Sequence, residues 1–252
     1  MMILRNLSVL TVALSLGGSA NASTISSGFY VGMGAGMERM NGQRSERMDS
    51  ADSSIYSSQT FTQNKDMKKH GPLVNVFGGG LYRCNNFAVA GEAFFEMGKT
   101  EDKIIRDWFE TISVTNTKGY YSAVLEKRSC FGFRVNVGGI VKDRFFVYGL
   151  LGLSATQLRY STVASMIEQS SIGSGRFVTE TKRKLAYGFD YGVGVQYQIN
   201  QWRIGIEGYI RKIKSQQFYF QLNDPNFAPE PTYNATVKPF ITGVNIKFSL
   251  TF

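Results

Sequence analysis

The chain has 252 residues, 43% of them hydrophobic and 19% charged, values that fit a soluble domain and equally a closed barrel with a polar interior. Its 28 Lys and Arg against 19 Asp and Glu leave a net charge of +9, a balance that suits anionic lipid headgroups or sugar phosphates better than nucleic acid if the chain is exported. No segment past residue 22 approaches the roughly 20 consecutive apolar residues of a spanning helix, so a helical membrane protein is excluded.

Export is itself expected from residues 1–22. Arg5 opens a short apolar run, Leu7–Leu16, which ends at the cleavage pattern Ala20-Asn21-Ala22. The mature chain should begin near Ser23, with no lipid-bearing cysteine at the cut, and residues 23–252 read as one domain.

From there, segments of alternating character follow one another. GFYVGMGAGM (28–37) sets Phe29, Val31, Met33, Ala35 and Met37 on one face and Tyr30 with three glycines on the other. PLVNVFGGGLY (72–82) leads across Cys84-Asn85-Asn86 into FAVAGEAFFEM (87–97), where Glu92 and Glu96 oppose Val89, Ala93 and Phe95. In 120–137, Phe131, Phe133 and Val135 alternate with Glu126, Arg128 and Arg134; FFVYGLLGLSAT (145–156) comes next. AYGFDYGVGVQYQI (186–199) carries Asp190 opposite its aromatics, and WRIGIEGYIRK (202–212) carries Arg203, Glu207 and Arg211 opposite Trp202, Ile204, Ile206 and Ile210. The last segment, from about Val237, ends VNIKFSLTF, with Val244, Ile246, Phe248, Leu250 and Phe252 on one face and Lys247 on the other.

Eight period-2 segments joined alternately by short and long connections predict an all-β fold, an eight-stranded antiparallel up-and-down transmembrane barrel. Short turns near 83–86, 138–144 and 200–201 would face the periplasm, and four long polar loops, 38–71, 98–119, 157–185 and 213–236, the outside. The alternation inside TISVTN (111–116) and QQFYFQL (216–222) predicts that some strands continue past the membrane as protruding hairpins.

The face bearing Glu92, Glu96, Glu126, Arg128, Arg134, Asp190, Arg203, Glu207, Arg211 and Lys247 is expected to line the lumen. Eight strands leave an interior that side chains nearly fill. Opposite charges there must pair, so an ion-pair plug is expected, with a gated ion path as the alternative. The two cysteines, Cys84 in a turn and Cys130 in mid-strand, are expected at different heights as free thiols. The spacing in GMGAGM (32–37) is not that of a dinucleotide loop, and one histidine with two separated cysteines offers no metal cluster. His70 is expected to be a solvated rim residue, because no Ser or Asp spacing singles out a nucleophile beside it. The basic runs with Lys65, Lys68 and Lys69, and with Lys182, Arg183 and Lys184, lie where lipopolysaccharide phosphates or host surface molecules could be met.

The leader, the glycine-rich first strand GFYVGMGAG, the strands YGLLGLSAT and YGFDYGVGVQYQI and the terminal VNIKFSLTF together give a sequence that resembles the small OmpA-like, opacity-type outer-membrane barrels over its whole mature length. The resemblance implies that Phe248, Leu250 and Phe252 form the signal read by the barrel-assembly machinery. It implies a structural or surface-exposed role in adhesion or antigenicity, without cofactor or catalysis. A small porin-like channel and, further off, a lipid A-modifying enzyme using His70 are the alternatives.

Overall fold

The computed structural model describes residues 25–49, 61–112, 115–168, 176–221 and 232–252; the expected leader lies outside them. All regular structure in these residues is strand: β1 (Gly28–Asp49), β2 (Phe61–Cys84), β3 (Phe87–Ile112), β4 (Thr115–Val141), β5 (Phe145–Glu168), β6 (Arg176–Ile199), β7 (Trp202–Ile213), β8 (Gln216–Gln221) and β9 (Thr232–Thr251). Successive strands pair antiparallel up to β7, β9 takes β7 and β8 on one side, and β1 closes on β9. β7 and β8 follow one another across Lys214-Ser215, with Lys212 opposite Phe240 and Gln216 opposite Val237. The nine segments therefore make eight strands around the circumference, the number that the periodicity predicts.

Three tight turns, at Asn85-Asn86, Lys142-Asp143-Arg144 and Asn200-Gln201, join strands at one end. Asn85, Asp143 and Asn200 adopt φ of 53°, 57° and 54°, a region that short polar side chains tolerate best. At this end the alternation sorts the faces cleanly. Phe133 and Val193 are 72% and 69% exposed on the outside, whereas Glu96, Asp190, Glu207 and Arg211 are fully buried inside. On β9 the outward apolar side chains run from Phe252 to Phe240, twelve residue steps, or about 40 Å along the strand and about 30 Å at a tilt near 40°. That is the height of a bilayer's hydrocarbon core.

The four segments expected as long polar loops are instead largely strand. β4 has 27 residues and β3 has 26, against the 9–11 needed to cross a membrane. The inward residues of β1 continue the even-numbered series past the membrane as Glu38, Met40, Arg44 and Glu46, all buried. Outward positions there are polar as well, and this hid the alternation from a hydropathy reading.

Above the belt the wall divides. The β2–β3 ladder stops at Leu73 opposite Gly98, and the β6–β7 ladder at Gly188 opposite Ile213. A proline stands at the first of these stops. The carbonyl of Pro72 points towards Gly98, so its imide nitrogen faces β3 and has no proton to donate. The Lys238 carbonyl points towards β1, so Pro239 turns its nitrogen to the β7–β8 junction. The outer halves consequently form two four-stranded leaves, β8-β9-β1-β2 and β3-β4-β5-β6, which pack face to face over Met40, Met67, Leu125, Leu158, Tyr160, Phe218, Phe220 and Val237.

Candidate functional site

The lumen of the membrane-crossing half is where the sequence concentrates charge, and strand register decides which charges meet. Glu92 on β3 faces Arg134 on β4, and Asp190 on β6 faces Arg211 on β7. Across the barrel, Arg134 Nη1 donates to Glu207 Oε1 at 2.7 Å, and its Nη2 to Glu96 Oε1 at 2.9 Å and Asp190 Oδ2 at 3.2 Å. Arg211 donates to both oxygens of Asp190 at 2.8 Å and to Glu96 Oε2 at 2.8 Å. Lys247 Nζ reaches Glu92 at 2.7 and 2.8 Å and Glu207 Oε2 at 3.2 Å. Ser154 adds a hydroxyl to Asp190 at 2.8 Å, and Tyr148 one to Glu207 at 3.2 Å.

Aromatic rings shelter this cluster from below and above. Phe94 lies 3.9 Å under the Arg134 guanidinium and Phe77 lies 4.1 Å from Lys247 Nζ. Tyr148 can lie flat only because residue 194 is glycine: a Cβ there would come within 2.4 Å of its ring.

The cluster continues upward through Lys127, whose Nζ is 2.5 Å from Glu38 and 3.9 Å from Glu96; Thr100 donates to Glu38 at 2.8 Å. Five carboxylates, those of Glu38, Glu92, Glu96, Asp190 and Glu207, thus face four cations, Lys127, Arg134, Arg211 and Lys247, in one connected and buried set. Higher still, between the leaves, Arg44 Nη2 donates to the Tyr160 hydroxyl at 2.5 Å, pairs with Glu46 and stands 3.8 Å from Asp102; Tyr160 also meets Glu46 at 2.7 Å and the Tyr233 hydroxyl at 3.0 Å. Phe218 and Phe220 pack on the Tyr160 ring at 5.0 and 5.5 Å. Charge and aromatic bulk fill the interior from the turns to the leaves.

Three of the ten expected lumen residues stand elsewhere or alone. Glu126 and Arg128 are on the outer face, Glu126 buried beneath its arginine partners: irregularities at Gly98-Lys99 on β3 and Arg128-Ser129 on β4 shift the register, and on β4 the inward series passes from Cys130 to Lys127, reversing the faces above, while β3 keeps Glu96, Thr100 and Asp102 inside. Glu126 pairs there with Arg128 at 3.2 Å and Arg159 at 3.8 Å, and it is Lys127 that turns inward. Arg203 is in the lumen but apart from the carboxylates, donating to Gln198 Oε1 at 3.0 Å and the Ser26 carbonyl at 3.1 Å beside the Tyr30 ring. Sequence reasoning missed Glu38, Arg44, Glu46 and Lys127; the first three were within reach had the even-numbered series of β1 been continued, whereas nothing local announced the bulge.

Outside, Phe248 and Phe252 are exposed and Leu250 is half-buried on the lipid face, while Lys247 points in. Lys182 and Lys184 turn across the gap between β6 and β8 and donate to the carbonyls of Tyr219 and Gln217, so they close the wall. Lys68, Lys69 and Arg183 are exposed; the side chain of Lys65 lies outside the described residues. His70 is exposed on β2 opposite Arg39, and among the described residues no hydroxyl or carboxylate hydrogen-bonds it. Cys84 is free and exposed at its turn, and Cys130 is free and buried.

The chain matches the outer membrane protein beta-barrel domain over residues 8–248. Among solved structures it is similar to the outer membrane protease OmpT from Escherichia coli, at 9% identity over 91% of this chain and 99% of that one, TM-score 0.43. It is also similar to Ail, the attachment invasion locus protein of Yersinia pestis, in complex with the heparin analogue sucrose octasulfate, at 13% identity over 88% and 99% with TM-score 0.27. Neisserial surface protein A is similar at 13% identity over 89% and 97%, TM-score 0.31. No curated protein sequence matches the chain.

Proposed function

The chain belongs to the outer membrane protein β-barrel family, and we propose that it acts through the surface it presents outside the cell, as a structural or adhesive barrel, rather than by conducting solutes or by catalysis. The observation that carries this reading is the connected set of nine charged side chains that occupies the lumen and continues between the leaves. Separating any of those charges to open a path would leave uncompensated ions in a poorly hydrated interior, at a cost of several kcal/mol each. In this reading the three short turns face the periplasm and the paired leaves stand outside, where lipopolysaccharide surrounds their base and host surface molecules meet their tips. Phe248, Leu250 and Phe252 present the outward row that the barrel-assembly machinery reads during insertion.

Reconstitution in planar bilayers tests the plug. The expected result is no steady conductance; unitary currents that change in Glu207→Gln would instead establish a channel. Orientation is tested separately, by placing a cysteine at exposed Arg47 in a Cys84→Ser background. A membrane-impermeant maleimide should label it in intact cells, and bacteria carrying the protein should adhere to host-cell layers better than those without it. Equal adherence would end the adhesive part of the proposal.

A further inference from the structure

One cation of the lumen stands outside the ion-pair set. Arg203, the second residue of β7, is 2% exposed between Gln198 of β6 and Ser249 of β9. Its Nε donates to Gln198 Oε1 at 3.0 Å and its Nη2 to the Ser26 carbonyl at 3.1 Å, whereas Nη1 is buried without a hydrogen-bond partner. Among the described residues no carboxylate lies within ion-pair distance of this guanidinium. Glu92 comes near only through Tyr30, whose ring centre is 5.4 Å from the guanidinium carbon and whose hydroxyl donates to Glu92 at 3.3 Å. Both Glu92 oxygens are already taken by Lys247.

Residues 25–27 close the place from the turn end. They reach from β1 across the mouth of the barrel, where the Ile25 amide donates to the Asp143 carbonyl of the β4–β5 turn at 2.8 Å and Arg83 Nη1 donates to the Ile25 carbonyl at 2.8 Å. The Arg83 amide holds the Ser27 hydroxyl at 2.9 Å, and Ile25 is buried. This strap shuts Arg203 off from bulk water. Inside it, Thr251 is the next inward residue of β9 after Ser249, diagonal to Arg203 across the β7–β9 ladder. Its hydroxyl is buried and also lacks a partner.

A guanidinium taken out of water with no counter-ion in contact is strongly disfavoured, and an unfilled N–H adds to the cost. The ion-pair set holds five carboxylates to four cations, but its surplus charge acts on Arg203 only from a distance and gives Nη1 no acceptor. We infer that a small monovalent anion, chloride in ordinary salt, is bound against Arg203 Nη1, with the Thr251 hydroxyl as its second donor. A halide accepts hydrogen bonds from any direction and matches the single charge of the guanidinium. Sulfate or phosphate would bring further charge and further oxygens that nothing beside Arg203 balances. Held there, the ion fixes the guanidinium under the Ser26 carbonyl and so braces the strap. The site is the same whichever end of the barrel faces outside.

The folded protein in detergent micelles is unfolded with urea at fixed ionic strength while sodium chloride is replaced stepwise by sodium gluconate, whose anion is too bulky for the place. An ion that binds only the folded state stabilises it by mass action, so above its dissociation constant each tenfold rise in chloride should lower the unfolding constant about tenfold. Bromide should act as chloride does. Arg203→Gln should unfold alike in both salts, whereas Arg144→Gln, at an exposed turn, should keep the wild-type response. Equilibrium dialysis of the wild type against radiolabelled chloride needs no variant to fold: a single ion should be retained per folded barrel and none by boiled protein. Equal unfolding of the wild type in chloride and gluconate, a chloride response that survives in Arg203→Gln, or no excess chloride on the folded protein would each overturn the site and leave Nη1 to water.

Discussion

Replacing Arg134 by Met keeps an unbranched stem over Phe94 and removes one charge from the lumen. In the wild type Arg134 makes three charge-assisted hydrogen bonds, to Glu207, Glu96 and Asp190, at 2.7 to 3.2 Å. At about 1.5–3 kcal/mol each they set a ceiling of about 4.5–9 kcal/mol. Arg211 and Lys247 remain beside the same carboxylates, so the expected loss is nearer the about 3–5 kcal/mol typical of breaking a buried pair. The substitution widens the excess of acids over bases in the set from one to two. Adding Glu207→Gln returns it to one, so the double variant should regain at least about 1 kcal/mol relative to the sum of the single changes, well beyond ordinary additivity error. Urea unfolding in detergent micelles, followed by tryptophan fluorescence and by the gel migration of folded and boiled samples, measures all three. A loss below about 1 kcal/mol for Arg134→Met, the size for an exposed pair, would mean a wet, high-dielectric lumen and would refute the plug.

The bulge on β4 makes neighbours unequal. Lys127→Met should cost about 3 kcal/mol or more, and Arg128→Met, with its side chain 41% exposed, less than about 1 kcal/mol in the same titration; the reverse order would put the register shift in the wrong place. Cys84 should react with maleimide in the folded protein within the mixing time, while Cys130, whose Sγ accepts from Thr156 Oγ1 at 3.4 Å, should react only after boiling; equal rates before boiling would contradict the buried placement. Deleting Phe252 removes one backbone hydrogen bond, from its amide to the Phe29 carbonyl at 2.9 Å, worth about 0.5–1.5 kcal/mol. The truncated barrel, once folded, should therefore unfold near the wild-type midpoint, yet outer-membrane levels in cells should fall severalfold. Normal levels would count against the assembly role of the terminal ring.

How much was legible follows from where the two faces differ in chemistry. Where lipid covers one face, as along Phe131, Phe133 and Val135 or Val244, Ile246 and Phe248, period 2 located the strands, and the intervening Arg134 and Lys247 do face inward. Glu126 and Arg128 obeyed the same arithmetic and were misplaced, because one extra residue in β4 reverses its faces without altering composition. Of the leaves, only the alternation in QQFYFQL, which spans β8, and in TISVTN, at the ends of β3 and β4, was legible, and the rest was hidden for a different reason. With water on the outside and Glu38, Arg44, Glu46 and Asp102 inside, both faces are polar, and the pattern that marks a strand disappears although the ladder does not.

The division into leaves also accounts for part of the excess of positive charge. Outside the belt β2, β3, β6 and β8 each have a side without a ladder, and an open strand edge is a template for unwanted pairing between molecules. Lysines occupy those edges. Lys182 and Lys184 cover the β8 carbonyls, Lys68 and Lys69 lie on β2, and Lys99 and Lys103 lie on β3. Two copies meeting edge to edge would bring like charges together, whereas within one molecule Lys127 to Glu38 and Arg44 to Asp102 tie leaf to leaf. Parting the leaves would strip those pairs and the Tyr160, Phe218 and Phe220 stack at once, so a barrel whose wall opens beside Pro72 and again between β6 and β8 is nevertheless held shut along the break.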